Sequence, residues 1–289
     1  MRDADGKDVG LILAPLRGVT IRCFRRVFAD VIAESGFTEA ITPFIPAMPG
    51  LEPLKDRELG AEEGGVKVTP QFIGKDPEAL RRCLLKIKAA GYGTADLNAG
   101  CPFPMVRNKG RGSGILRTPD VLRRMLEVGC ETMGEGQFSL KARLGVDRPD
   151  ELLALMPMIN AFPLRFLTVH ARTARQMYSG AVDAAGLAKV REVAKVPIVI
   201  NGDIPFPPNI PNVPLMIGRG FIRHLGTRED IGGLLGRYID ASAAELHGDR
   251  PVLGRLKELI SYWKEQPGWR RKWEVVKICR SVDELRTII

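Results

Sequence analysis

The sequence is short of histidine, of paired cysteines and of long apolar runs, and each shortage removes a class of protein. Three histidines, His170, His224 and His247, occur in 289 residues. None stands at zinc-ligand spacing from another histidine or from a cysteine, so no metal site is expected. The five cysteines, Cys23, Cys83, Cys101, Cys130 and Cys279, include no Cys-x-x-Cys pair. An odd, irregular set argues against a disulfide framework and for reduced thiols in a cytosol. No run of about 18 apolar residues occurs, and Met1–Lys7 has no apolar signal core. A soluble, cytoplasmic chain without a membrane partner is expected. Hydrophobic residues at 45% and charged residues at 27% leave no room for a disordered or fibrous chain. The formal net charge of +9 admits a polyanionic partner without requiring one.

What is present is one repeating pattern. Short apolar runs alternate with amphipathic ones up to about residue 225, the signature of parallel strands joined by crossover helices. The strand-like runs are Leu11–Pro15, Thr38–Pro43, Val66–Phe72, Ala95–Asn98, Phe138–Arg143, Phe166–His170, Pro197–Asn201 and Leu215–Gly218. Eight runs predict an α/β fold of the (β/α)8 TIM-barrel type. Thr20 and the Thr118-Pro119 and Asp76-Pro77 pairs read as helix N-caps. The second crossover is weak, with a helix plausible only around Leu54–Leu59. Two spacings deviate. Asn98 to Lys141 is 43 residues and contains the basic, glycine-rich segment Asn108–Gly114, which reads as a lid or substrate loop. Asn201 to Gly218 is 17 residues and carries five prolines, which predicts a shortened crossover without a helix before strand eight. Beyond Arg228 the pattern is helical only, over Ile231–Leu246, Val252–Glu265, Trp269–Arg280 and Val282–Ile289. Residues 250–289 hold ten Lys/Arg against five Asp/Glu, so over half of the net charge lies in the last 40 positions. A barrel of residues 1–227 and a C-terminal all-helical domain of residues 228–289 are therefore expected. The localised charge suits phosphate binding, while the tail tryptophans read equally well as packing inward.

Side chains just beyond barrel strand ends face the active-site mouth. Those positions hold Gln71, Asn98, Cys101, Lys141, Arg143, His170, Arg172, Asn201, Asp203 and Arg219, and ten polar groups in register at one end are hard to explain as packing. Asn201-Gly202-Asp203 and Gly218-Arg219-Gly220 follow the last two strands, where backbone N–H groups make a phosphate cradle. Arg219 adds a charge-assisted donor. Lys141 suits the N1–C2=O edge of a flavin, where negative charge collects on reduction. Cys101, between Gly100 and Pro102, is mostly protonated at neutral pH if its pKa is ordinary, and so is able to donate a proton.

At these residues the sequence resembles the tRNA-dihydrouridine synthase family. The segments that carry the likeness are Leu13–Thr20, Asp96–Pro102, Lys141–Gly145, Val169–Thr173 with Gln176 and Tyr178–Gly180, Asn201–Ile204, and Met216–Gly220. Arg255–Lys264 resembles the tail of the bacterial synthase C subfamily. The resemblance implies FMN as cofactor, NADPH as reductant and tRNA as partner, with reduction of a uridine, at position 16 of the D-loop if the tail likeness holds. It implies that Pro15, Leu16 and Arg17 line one flavin edge and that Gln71, Lys141 and His170 hold the isoalloxazine. Asn201, Gly202, Asp203, Gly218 and Arg219 would hold the ribityl phosphate. Asn98 would orient the uracil with Arg172 nearby, Cys101 would protonate C5, and Lys109 and Arg111 would meet RNA phosphates. A monomer fits a tail that grips one tRNA. Two other readings share parts of the pattern: an FMN-barrel oxidoreductase acting on a free pyrimidine, which has no use for a basic tail, and a non-catalytic RNA-binding paralogue.

Overall fold

A computed structural model of the chain describes residues 10–51, 57–60, 66–210 and 213–289. The opening segment Met1–Lys7 and Pro211 lie outside them, as does the first half of the helix expected around Leu54–Leu59. The barrel elements begin with β1 (Leu11–Leu13), α1 (Arg22–Val27), α2 (Ala29–Glu34), β2 (Phe37–Ile41), β3 (Ile45–Ala47), β4 (Lys67–Thr69) and β5 (Gln71–Gly74). They continue through α3 (Pro77–Ala89), β6 (Ala95–Ala99), α4 (Pro104–Arg107), a 3-10 turn at Gly112–Arg117, α5 (Pro119–Met133), β7 (Phe138–Gly145) and α6 (Glu151–Ile159). The set closes with β8 (Leu167–Thr173), α7 (Ala184–Val193), β9 (Ile198–Asn201), β10 (Leu215–Ile217) and α8 (Arg219–Leu225).

All the pairings are parallel, in the order β3-β5-β6-β7-β8-β9-β10-β1-β2-β4. Eight strands are thus realised as ten segments, because strands two and three each break once. Pro70 has no N–H to give and separates β4 from β5; residues 42–44 separate β2 from β3. The sheet is open between β3 and β4 themselves, yet strand two meets strand three through both halves, β2 against β4 and β3 against β5. Thr42 bridges the gap, its N–H donating to Thr69 O (3.0 Å) and its hydroxyl accepting from Gln71 N (3.0 Å). No helix lies between β9 and β10 among the described residues, as the 17-residue spacing predicts.

Asp76 caps α3 as expected, accepting from Ala79 N at 2.8 Å. Thr118 stands at the N-cap of α5 with Pro119 next to it, as expected, but its side chain accepts no helix N–H, and Thr20 lies one residue before the N-cap of α1. Thr20 instead donates to Ala14 O (3.1 Å) and accepts from Leu16 N (2.8 Å), which folds Pro15–Arg17 across the end of β1. Thr118 donates to Ile115 O at 3.1 Å. Each hydroxyl is thus held by backbone outside the helix, and neither accepts a helix N–H.

The tail consists of α9 (Ile231–Glu245), α10 (Asp249–Ile260) with a 3-10 turn at Ser261–Trp263, α11 (Pro267–Val276) and α12 (Val282–Arg286). Its apolar face shares one buried cluster with β1, β2 and α1. The Tyr238 ring stands 6.1 and 5.8 Å from those of Phe24 and Phe28. The tail also donates to backbone carbonyls at the C-terminal end of α8. Trp263 Nε1 donates to Ile222 O (2.6 Å), Gln266 Nε2 to Arg223 O (2.6 Å) and Trp269 Nε1 to Gly226 O (2.8 Å). Trp263 and Trp269 therefore point inward and serve packing.

Trp263 is fully buried and hydrogen-bonded. Trp263→Ala should lower stability by about 3–5 kcal/mol, read as a shifted urea midpoint of the full chain. A loss below about 1 kcal/mol would show that the tail is not anchored there.

Candidate active site

The C-terminal ends of the strands enclose a cavity of about 930 Å³, at the upper end of the range for small-molecule and cofactor sites. Among the expected residues, Pro15, Leu16, Arg17, Gln71, Asn98, Cys101, Lys141, His170, Asn201, Gly202, Asp203, Gly218 and Arg219 line it together. Arg172, Lys109 and Arg111 do not. Arg172 is 2% exposed and lies behind the wall. Lys109 is exposed outside the cavity, and Arg111 leans on Met48, with Nη1 at 2.5 Å from Sδ.

A chain of amides runs beneath the cavity floor. Asp96, fully buried on β6, accepts from Ser139 Oγ (2.6 Å) and from Gln71 Nε2 (2.7 Å). Gln71 Oε1 then accepts from Asn98 Nδ2 at 2.7 Å. Asn98 Oδ1 in turn accepts the backbone N–H groups of Gly100 (3.1 Å) and Cys101 (2.9 Å). Asp96 and Asn98 are two apart on one strand and so share its inward face. From the other side, Arg143 Nε donates to Gly100 O (2.9 Å), and Ser113 donates to Cys101 O from both N (3.1 Å) and Oγ (2.9 Å). Residues 112–114 of the glycine-rich segment are thus a buried brace beneath the Cys101 loop and not a lid, while Asn108 and Lys109 of the same segment stay exposed. Gly112 sits at φ +56°, where a Cβ would come 2.7 Å from Cys101 Cβ. The glycines serve close backbone approach within the protein.

Cys101 is 7% exposed, and burial pushes its thiol pKa up against the pull of the Phe103 N–H and of the charges on Arg143, Arg17 and Lys141. The group is a protonated thiol at neutral pH. Burial and the Arg143 charge bring Lys141 down to about 8, with Asp96 opposing; Lys141 Nζ donates to Asn201 Oδ1 at 2.9 Å. Burial and four surrounding cations hold His170 far below its ordinary value, so its imidazole is neutral.

At the other end, Gly202 stands at φ +119°, where a Cβ would meet His170 Cδ2 at 2.7 Å. The Asp203 carboxylate pairs with Arg219 and, at 2.5 Å, with Arg172, whose Nη2 also donates to Gly180 O at 2.6 Å. These arginines hold the Asp203 carboxyl below its ordinary value despite partial burial. Arg219 lies over the Tyr178 ring, 4.8 Å from its centroid, and Arg143 lies 5.3 Å from the same ring. Several lining residues escaped sequence reasoning. Asp96, buried beneath the lining, was findable from its two-residue step to Asn98. Phe44 and Gln266 carry no local signal, and for Glu258, Tyr262 and Lys264 the resemblance over Arg255–Lys264 marks the segment without placing it at the cavity.

Burial is also the main reason the Asp96 pKa rises to about 6. The folded chain then holds this proton more tightly than the unfolded one, whose carboxyl titrates near 3.9. The stabilisation is complete below about pH 4 and is lost as pH rises through about 6. Asp96→Asn has no proton to lose. Its stability relative to wild type should therefore climb by up to about 3 kcal/mol from pH 4 to pH 7 in urea denaturation. A flat difference would contradict a buried, ionisable Asp96.

Among the described residues, no group of three or more His, Cys, Asp and Glu side chains is placed to hold a metal, and no helix is long and apolar enough to cross a membrane. The dihydrouridine synthase (Dus) family profile matches residues 12–218. A probable tRNA-dihydrouridine synthase of Rhodobacter capsulatus is 31% identical over 203 residues, covering 68% of this chain and 60% of that one. The tRNA-dihydrouridine(16) synthase of Ralstonia nicotianae is 28% identical over 203 residues, 67% of this chain and 61% of its own length. The tRNA-dihydrouridine synthase B of Serratia marcescens is 26% identical over 274 residues, 90% of this chain and 80% of its own. The matches thus span about three fifths of the first two relatives. The old yellow enzyme homologue of Zymomonas mobilis shares the fold, with a TM-score of 0.53 at 14% identity over 77% of this chain and 88% of that one. The match from Ile12 to Gly218 runs through every strand of the barrel, and the chain belongs to the dihydrouridine synthase family.

Proposed function

We propose that this protein is an FMN-dependent tRNA-dihydrouridine synthase that reduces the C5=C6 bond of a uridine in tRNA, with NADPH as the ultimate reductant. The observation that carries the reading is a buried, protonated cysteine held by the Asp96–Gln71–Asn98 chain in a cavity that also holds a lysine and a glycine-lined anion cradle. These residues fit FMN. The cradle at Gly202 excludes a Cβ, Arg219 supplies positive charge, and the volume admits a planar ring with a phosphate arm. Lys141, Gln71 and neutral His170 would hold the ring, with Pro15, Leu16 and Arg17 along one edge. Backbone at Gly202, Asp203 and Gly218 would meet the phosphate together with Arg219. Asp203 and Arg172 act behind it, aiming Arg219 through the ion pairs.

Bound FMN supplies the two-electron reducing equivalent. The uridine must leave its stack to reach the cavity, because C5 and C6 are inaccessible within the tRNA fold. Asn98 has one Nδ2–H left after its three hydrogen bonds, enough to orient a uracil carbonyl. As C6 is reduced, negative charge collects on C5 and O4, and Cys101 Sγ–H delivers its proton to C5. The thiolate left behind is eased by Arg143, Arg17 and Lys141 and regains its proton from solvent. Six basic residues line the cavity (Arg17, Lys141, Arg143, Arg219, Arg223 and Lys264), against the acids Asp203, Glu258 and Glu265. That excess suits a polyanion and favours tRNA over a free pyrimidine. Lys109 and the basic tail would take further phosphates. The tail segment Arg255–Lys264 and the kinship with the Ralstonia nicotianae enzyme support uridine 16 as the target.

Incubation of the flavin-loaded protein with unmodified tRNA and NADPH should place dihydrouridine at position 16, mapped by primer extension. Cys101→Ala should keep its flavin absorbance and lose about 10²–10⁴-fold in rate. Absence of dihydrouridine at every position would overturn the reading. Product at another position would overturn the choice of uridine 16 alone.

A further inference from the structure

The loop that carries Cys101 continues into Pro102, Phe103, Pro104 and Met105, and the last four all line the cavity. Met105 is 83% exposed and Phe103 45%, so two large apolar side chains stand in water within four residues of the thiol. Isolated exposed apolar residues need no explanation, but a pair at the rim of a functional cavity does. The pair is also held stiffly. Phe103 O accepts from Val106 N and Arg107 N, each at 2.9 Å, and the preceding backbone is fixed by the contacts of Asn98, Arg143 and Ser113. The surroundings are cationic. Arg17, over the Phe44 ring, and the exposed Arg223 and Lys264 line the same cavity. Flat apolar contact set among positive charges matches a nucleobase with its phosphates better than a protein surface or a lipid.

We propose that Phe103 and Met105 form an apolar prong that stacks on the nucleotides flanking the reduced uridine and fills the gap this uridine leaves in the RNA stack. The inference rests on the tRNA reading above. Side chains inserted at a base step hold a distorted nucleic acid in this way, and the prong sits where it would keep the extruded uridine beside Cys101.

The test uses the full-length, flavin-loaded protein. Phe103→Ala/Met105→Ala, and Met105→Ser alone as a variant at an exposed position, are first checked for wild-type melting temperature and flavin content. On intact tRNA, kcat/KM should fall about 10- to 100-fold in the double variant and less in Met105→Ser. On a transcript whose nucleotides flanking the target uridine are abasic, wild type should fall to the same level, and the double variant should lose nothing more. Undiminished kcat/KM on intact tRNA, or losses that multiply on the abasic transcript, would overturn the prong while leaving the enzyme assignment standing. A wild-type dimer that the double variant converts to monomer would give the patch to a second copy of the chain and overturn it too. Wild type that reduces no uridine in any tRNA would overturn the enzyme reading and the prong with it.

Discussion

At neutral pH two groups with opposite hydrogen-bonding character fix the floor of the cavity. Ionised Asp96 only accepts, and the backbone N–H groups of Gly100 and Cys101 only donate. Between them, Gln71 and Asn98 satisfy both ends in one orientation alone, with each amide nitrogen facing the Asp96 end and each oxygen the Cys101 end. An amide flipped in either residue would set donor against donor or acceptor against acceptor in a buried site, where an unmet polar group costs about 1–3 kcal/mol. The position of the Cys101 loop is thus written into the barrel floor. The same burial that makes the chain stringent keeps the thiol protonated and lowers Lys141, so geometry and protonation state have a common cause.

The tail is tied to the same frame. Its three side-chain donors close the end of α8, the helix that begins at Arg219, and its own residues supply one wall of the cavity. Barrel and tail share an apolar cluster, so loss of the tail would uncover core around Phe24 and Phe28 as well as remove basic surface. This makes substitution at tail surface positions more informative than truncation.

The barrel was legible in the sequence because parallel strands covered on both faces read as short apolar runs, and their ends place polar groups in register. The missing helix before β10 was legible from spacing and proline content. The breaks in strands two and three were not, since Pro70 interrupts hydrogen bonding without interrupting hydrophobicity. Thr20 and Thr118 looked like side-chain caps because the sequence shows the hydroxyl and not the backbone that holds it. Asn108–Gly114 looked like a lid for a similar reason: glycine signals close backbone approach, and the sequence does not say whether a ligand or the Cys101 loop is what approaches. The tail wall was invisible, because nothing local tells which side of α10 meets the cavity.

The account stands on Cys101 being a proton donor and not a resident thiolate. The most direct test is the pH dependence of its alkylation by iodoacetamide in the folded protein, with the modified peptide quantified by mass spectrometry. The rate at Cys101 should inflect above the ordinary thiol value of about 8.5. An inflection below pH 7 would make it a thiolate at working pH and contradict the account.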